Sequence, residues 1–311
     1  ILGAARGEGA RWAKDLQLPT KGETIFFAGC GYQYATGLET MLSLLRRLEK
    51  SAVGADLPLR LAKFQQKMGM DLGGVYRRVR DGGSGADVPP LKDAVKVLRH
   101  LGVEFAYLAE EEPCCGAPLY FAGVHREFTR NAQQACRKLA SLGVKRVISI
   151  VPSCTYALRE IFPTVVPGYE LEVKHFVEIV AGALPSLKLC FPWPAKVAFH
   201  DPCQLARYLG LTAEPRQILK AIQGIELVEP EGTCGEWATC CGGGGGFEAV
   251  FPELSQVLAV NRVRELLETG ADIIVTHCPG CVLQLKEGLK ELKSTVPVLD
   301  LVEVVAMALE A

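Results

Sequence analysis

Residues 143–161 read GVKRVISIVPSCTYALREI, and residues 270–288 read GADIIVTHCPGCVLQLKEG. Each stretch opens on a glycine, runs through a short β-branched segment, meets a cysteine loop and continues in a helical pattern. A short apolar run bounded by turn residues reads as a buried strand, and the segments after the cysteines read as helices. Strands alternating with helices predict an α/β fold with mainly parallel sheets. Sheets of that kind place sites in the loops at the carboxyl ends of their strands.

Working outward, three further pairs repeat in the same order. ETIFFAGC, ending at Cys30, matches AKVAFHDPC, ending at Cys203. EEPCCGAPL, with Cys114 and Cys115, matches ATCCGGGGG, with Cys240 and Cys241. VKHFVEIVAGAL (173–184) matches VLDLVEVVAMAL, which runs to Leu309. A duplicated unit accounts for the shared order. The expected organisation is a lead-in over 1–23, a first α/β unit over 24–184, a Pro-containing connector over 185–195, and a second unit over 196–311. The first unit carries extra residues around 50–93, rich in Gly, Arg and Asp, which read as an inserted, partly flexible surface segment.

The halves differ in their thiols. The second has five: Cys203, the doublet Cys240–Cys241, and the pair Cys278/Cys281, with 36 residues on either side of the doublet. The first has Cys30, Cys114, Cys115 and Cys154, with Val151 where the second has Cys278. Five thiols exceed what a tetrahedral zinc or a cubane cluster needs. Adjacent cysteines on a regular strand would point to opposite faces, so a shared site needs an irregular backbone. Gly242, Gly243 and the glycines after them permit that turn and bare N–H groups that can hydrogen-bond sulfur.

Composition narrows the alternatives. The chain has 311 residues, 49% of them hydrophobic, and a net charge of −1. It can bury a large core, and scattered Lys and Arg argue against a nucleic-acid partner. No apolar run is long enough to span a membrane, and the start lacks a secretory signal. The chain opens at Ile1 rather than Met, which leaves room for upstream residues. Twelve cysteines in a chain of this length point to metal or redox use before a disulfide scaffold. Cys278-Pro-Gly-Cys281 alone also fits a thioredoxin-type pair, and four of the five thiols could hold structural zinc. His200 and His277 could supply protons to a leaving thiolate or hydrogen-bond a bound group, with local structural roles as the alternative. Glu111 and Glu112 read as a solvated loop, and Cys136 and Cys190 as inert core thiols.

Two tandem copies of this cysteine pattern resemble the CCG, or cysteine-rich, domain of heterodisulfide reductase catalytic subunits. Related chains include iron–sulfur subunits of glycolate and lactate oxidases and of sulfite-reduction-associated complexes. The resemblance implies a noncubane [4Fe–4S] cluster on Cys203, Cys240, Cys241, Cys278 and Cys281, with one iron drawn out to meet a substrate sulfur. It implies that Cys30, Cys114, Cys115 and Cys154 hold a simpler second iron–sulfur cluster or a degenerate site. The implied function is a cytoplasmic disulfide oxidoreductase subunit, free or attached to a membrane complex through its partners. Those partners would be ferredoxin-like iron–sulfur or flavin subunits of an electron-transfer complex. The alternatives are a non-catalytic electron conduit in a larger dehydrogenase, and a zinc-binding interaction module.

Overall fold

Ile25, Phe26 and Phe27 are all buried in β1 (Thr24–Phe27). Consecutive buried residues mean that both faces of the strand are covered, as in a parallel sheet clad by helices. The computed structural model describes residues 10–33 and 88–310. β1 pairs with β2 (Arg146–Ser149), which pairs with β3 (Glu172–His175), and both pairings are parallel. The second sheet holds β4 (Leu189–His200), β5 (Ile222–Val228), β6 (Ile273–Thr276) and β7 (Val298–Asp300). Its order is β5-β4-β6-β7, again parallel throughout.

The two sheets are the same arrangement built twice. β1, β2 and β3 correspond to β4, β6 and β7. The place of β5 is taken in the first sheet by Ala106, which bridges the free edge of β1. Ala106 donates to Thr24 O at 2.9 Å, and its carbonyl accepts from Phe26 N at 2.8 Å.

The helices that matter for the site are, in chain order, α1 (Gly29–Gln33), α2 (Pro89–His100), α3 (Ala117–Phe121), α4 (His125–Ser141) and α5 (Pro152–Tyr156) in the first half. They continue with α6 (Phe176–Ala183), α7 (Ala213–Ala221), α8 (Pro252–Glu268), α9 (Pro279–Glu291) and α10 (Leu301–Glu310). The repeated segments at 173–184 and 298–309 start their helices alike. His175 accepts from Val177 N while Glu178 accepts from His175 N; Asp300 and Glu303 cap α10 in the same reciprocal way. Such boxes satisfy amides that a helix start otherwise leaves bare.

The halves pack reciprocally. α10 of the second half lies on α2 of the first, and α6 of the first lies on α7 of the second. One apolar core runs from Trp12 to Ala308 through both halves. The duplication therefore behaves like an isologous dimer joined into one chain.

Two expectations about segments change. The connector at 185–195 is largely strand, because β4 begins at Leu189. Pro192 and Pro194 fall where its pairing with β5 shifts between Cys190 and Ala195, an interruption of the kind that tolerates proline. Most of the expected insertion at 50–93 lies outside the described residues, but residues 89–93 open α2 with Leu91 buried. The lead-in is anchored by Trp12, whose Nε1 donates to Tyr107 OH at 3.2 Å. Among the described residues no helix is long and apolar enough to cross a membrane.

Candidate metal centre

Cys30 lies in the first turn of α1, directly after β1, and Cys154 sits in α5 after β2. Cys203 follows β4, Cys278 follows β6 and caps α9, and Cys281 lies in the first turn of α9. All sit at carboxyl ends of parallel strands, as the sequence indicates. The doublets come from loops beyond the sheets and reach in from the side.

In the first half the thiols link in order. Hydrogen bonding couples the free thiols of Cys30 and Cys114 and of Cys114 and Cys115, and Cys115 Sγ lies 3.1 Å from Cys154 Sγ. In the second half hydrogen bonding couples the thiols of Cys203 and Cys240 and of Cys240 and Cys241. Cys241 Sγ lies 3.3 Å from Cys281 Sγ, and hydrogen bonding couples Cys281 to Cys278. The four-membered series 30–114–115–154 therefore corresponds to 203–240–241–281. The fifth member, Cys278, corresponds to Val151, which is buried and caps α5 as Cys278 caps α9.

The backbone is shaped around the sulfurs. Gly242 has φ +82°, and a β-carbon there would meet Ser255 O at 2.4 Å. On Gly243 a β-carbon would meet Gln284 Cγ at 2.6 Å. Neither position can take a side chain without movement of its surroundings. Gly242 N–H points to Cys240 Sγ at 3.3 Å, and Gly116 N–H to Cys114 Sγ at 3.4 Å. Hydrogen bonds from Cys203 and Cys241 pull the Cys240 thiol down to about 2. Those from Cys115 and Cys30 pull Cys114 down to about 3. Cys278 is lowered by Cys281 and by backbone N–H groups at the start of α9. Each doublet thus offers one ready thiolate, the form that ligates metal.

Both candidate histidines are buried. A ring nitrogen of His200 and the sulfurs of Cys241 and Cys281 lie within 4.8 Å of one another. His200 Nδ1 accepts from Arg262 Nε at 3.0 Å. Burial, and then the Arg262 charge, push the His200 pKa down to about 3. His277 stands apart from that group: its Nδ1 lies 2.8 Å from Asp300 Oδ1, and its ring meets the edge of His175. Asp300 Oδ2 accepts from Tyr32 OH at 2.6 Å, so a buried hydrogen-bonded series joins the residue two after Cys30 to the residue before Cys278. We expect Tyr32→Phe to cost about 1.5–3 kcal/mol, because it leaves a buried carboxylate oxygen short of its donor; thermal unfolding of the purified chain measures this.

The loops of the two sites touch. A β-carbon on Gly31 would lie 3.0 Å from Pro279 Cγ. Tyr156, two residues after Cys154, packs on Tyr208, five after Cys203, with ring centroids 4.8 Å apart. Phe121 stacks on Tyr156.

Glu112 is not in a solvated loop. Its carboxylate accepts from Ala28 N at 2.8 Å and Gly29 N at 3.0 Å, so it ties the doublet loop to the Cys30 loop, and burial pushes its pKa up to about 8. Glu111 does stay exposed, paired with Lys138. In the second half Asp201 does the corresponding tying, held by both Nη atoms of Arg216 at 2.8 Å and accepting from Gly235 N. Cys190 is exposed rather than core, while Cys136 is half-buried with its pKa raised to about 11 by burial. Arg262 and Tyr32 carry no local motif, and Asp300 has only its helix-capping pattern with Glu303. Only their failure to match the other copy hints at them.

Residues 83–159 and 197–286 match the family described as Cysteine-rich domain. The chain belongs to that family. The second matched range holds all five thiols of the second site, and the first holds three of the four in the first. This cysteine-rich domain chain is 37% identical over 224 residues to a subunit of the dihydromethanophenazine:CoB--CoM heterodisulfide reductase of Methanosarcina barkeri, covering 69% of this chain and 54% of that one. It is 34% identical over 227 residues to an EtfAB:quinone oxidoreductase of Syntrophomonas wolfei, covering 70% and 31%. The chain thus spans about half the length of the heterodisulfide reductase relatives it matches. A solved structure of a hypothetical protein from Helicobacter pylori shares the fold at TM-score 0.50 and 14% identity, over 71% of this chain and 46% of that one.

The donors suit an iron–sulfur group. Thiolates are its natural ligands, the N–H groups of Gly242 and Gly116 meet sulfur, and His200 Nε2 is buried without a hydrogen-bond partner among the described residues. Zinc would leave the fifth thiol of the second set unused.

Proposed function

We propose that Cys203, Cys240, Cys241, Cys278 and Cys281 hold a noncubane [4Fe–4S] cluster in an iron–sulfur oxidoreductase subunit that exchanges electrons with a disulfide. The observation that carries this reading is the single connected set of five thiols in the second half, against four in the first. Bound there, such a cluster supplies one-electron steps and an iron that accepts a sulfur ligand.

The chain's own residues do the rest. The doublet loop, turned by Gly242 and Gly243, presents Cys240 as a thiolate and aims an N–H group at its sulfur. The start of α9 lends further N–H groups to Cys278. Burial keeps water from Cys241 and Cys281, while Cys203, Cys240 and Cys278 stay partly exposed. Reduction of R–S–S–R′ consumes two electrons and two protons and releases RSH and R′SH. Similarity to heterodisulfide reductase subunits supports the disulfide as substrate class, with electrons supplied by an iron–sulfur or flavin partner. The four thiols of the first half hold a simpler cluster or none.

Similarity to an EtfAB:quinone oxidoreductase favours a second reading, in which the chain relays electrons without reacting with a disulfide. Anaerobically purified protein, oxidised in the presence of thiol, is expected to give an EPR signal unlike that of a reduced ferredoxin. The chain assembled with its electron-donating partner is expected to reduce a small disulfide. Electron uptake with no disulfide turnover under any donor would leave the relay reading standing. Zinc without iron would end both.

A further inference from the structure

The second thiol site has a polar back wall that the first lacks. α4 and α8 are the same length, and their buried positions run in phase: Phe128, Ala132, Ala135 and Leu139 against Ser255, Ala259, Arg262 and Leu266. Arg262 therefore stands where the first half has Ala135. His200, three residues before Cys203, stands where it has Phe27, three before Cys30. An apolar pair behind four thiols has become an Arg–His pair behind five.

Arg262 is fully buried, and its position is set by hydrogen bonds to several groups. Its Nη1 donates to Glu265 Oε2 at 2.7 Å and to Thr233 O at 2.9 Å. Thr239, next to the doublet, donates to the same Glu265 oxygen at 2.6 Å. The guanidinium so held donates through Nε to His200 Nδ1. An Nδ1 that accepts a hydrogen bond cannot carry the ring proton of a neutral imidazole, so Nε2 must carry it. Nε2 is buried with no partner among the described residues, while the ring lies beside Cys241 and Cys281.

We propose that Arg262 is a positioning residue for the second site: it locks His200 with Nε2–H facing the sulfurs at the Cys241/Cys281 end, where His200 acts as a fixed hydrogen-bond donor. The proposal rests on the iron–sulfur reading above. A donor aimed at cluster sulfur stabilises the more negative, reduced state, and hydrogen bonds to sulfur are an established lever on cluster potential. The second site should therefore be easier to reduce than its thiols alone would make it.

The test is an EPR-monitored redox titration of iron-loaded protein, with iron content measured alongside. Arg262→Met and His200→Phe should each disfavour reduction of the second site about tenfold, a midpoint lower by about 59 mV for a one-electron couple. The double variant should shift no further, because arginine acts through histidine. If Arg262→Met fails to fold, His200→Phe with Arg262→Ala reproduces the first half's pair and should show the same shift. An unchanged potential in iron-replete His200→Phe, or additive shifts, would overturn the proposal. ¹⁵N NMR of histidine-labelled protein reads the tautomer whether or not iron binds. Nε2–H at His200, lost to a mixture in Arg262→Met, supports the proposal, and Nδ1–H in the wild-type chain defeats it. Protein that shows the expected tautomer but takes up no iron would count against the iron–sulfur reading instead.

Discussion

Cys241→Ser is expected to abolish the EPR signal of the second site and to remove about four irons per chain, the complement of one [4Fe–4S] cluster. Cys241 occupies the middle of the thiol series. It is buried, it is hydrogen-bonded with Cys240 on one side, and it lies 3.3 Å from Cys281 on the other. A serine hydroxyl is a poor substitute, since it stays protonated where a thiolate is needed and is a harder donor than iron–sulfur chemistry prefers. The fold should survive, because the change replaces a single atom within the apolar cluster that Cys241 shares with Ala198 and Ile274. Iron and acid-labile sulfide assays, with far-UV circular dichroism as the fold control, make the measurement. A signal that persists at full intensity would remove Cys241 from the ligand set.

Val151→Cys is expected to create a second five-thiol site. Val151 is buried at the N-terminal cap of α5, the position that Cys278 holds on α9. Cysteine is slightly smaller than valine, so the substitution needs no new space and should cost no more than about 1.5 kcal/mol. A β-carbon on Gly29 would lie 2.9 Å from Cys154 Sγ and 3.1 Å from Val151 Cγ2. Only a glycine there lets the Cys30 loop approach both positions so closely. The variant should gain a second thiol-dependent EPR signal, with no loss of the first. If the new thiol reacts with alkylating reagents after iron loading and no second signal forms, more than one ligand separates the two sites. The missing back wall is then the first difference to test, by adding Phe27→His and Ala135→Arg.

Much of the frame was legible because it depends on local pattern. Short β-branched runs ending at cysteine loops marked β1, β2, β4 and β6, and the helices after them followed from periodicity. The repeat by itself exposes the absent fifth thiol at Val151. Glu112 reads as solvated because it adjoins a second glutamate, whereas its partners, Ala28 and Gly29, lie more than 80 residues away. The 185–195 segment reads as a connector because prolines usually mark loops, whereas here they fall in a gap of the strand ladder.

By itself the sequence determined the α/β class, the duplication, the two thiol sets and their inequality, since each is written in residues close together or in an order repeated twice. The tertiary structure alone decided how the copies embrace, with α10 on α2 and α6 on α7. It also decided the buried links that no local signal announces. Tyr32 reaches Asp300 across 268 positions of sequence, and Arg262 reaches His200 across 62. The physical reason is that a buried polar side chain must find its partner wherever packing brings one within hydrogen-bond distance. Strand and helix periods fix which way a side chain faces, and only the assembled core fixes what it meets.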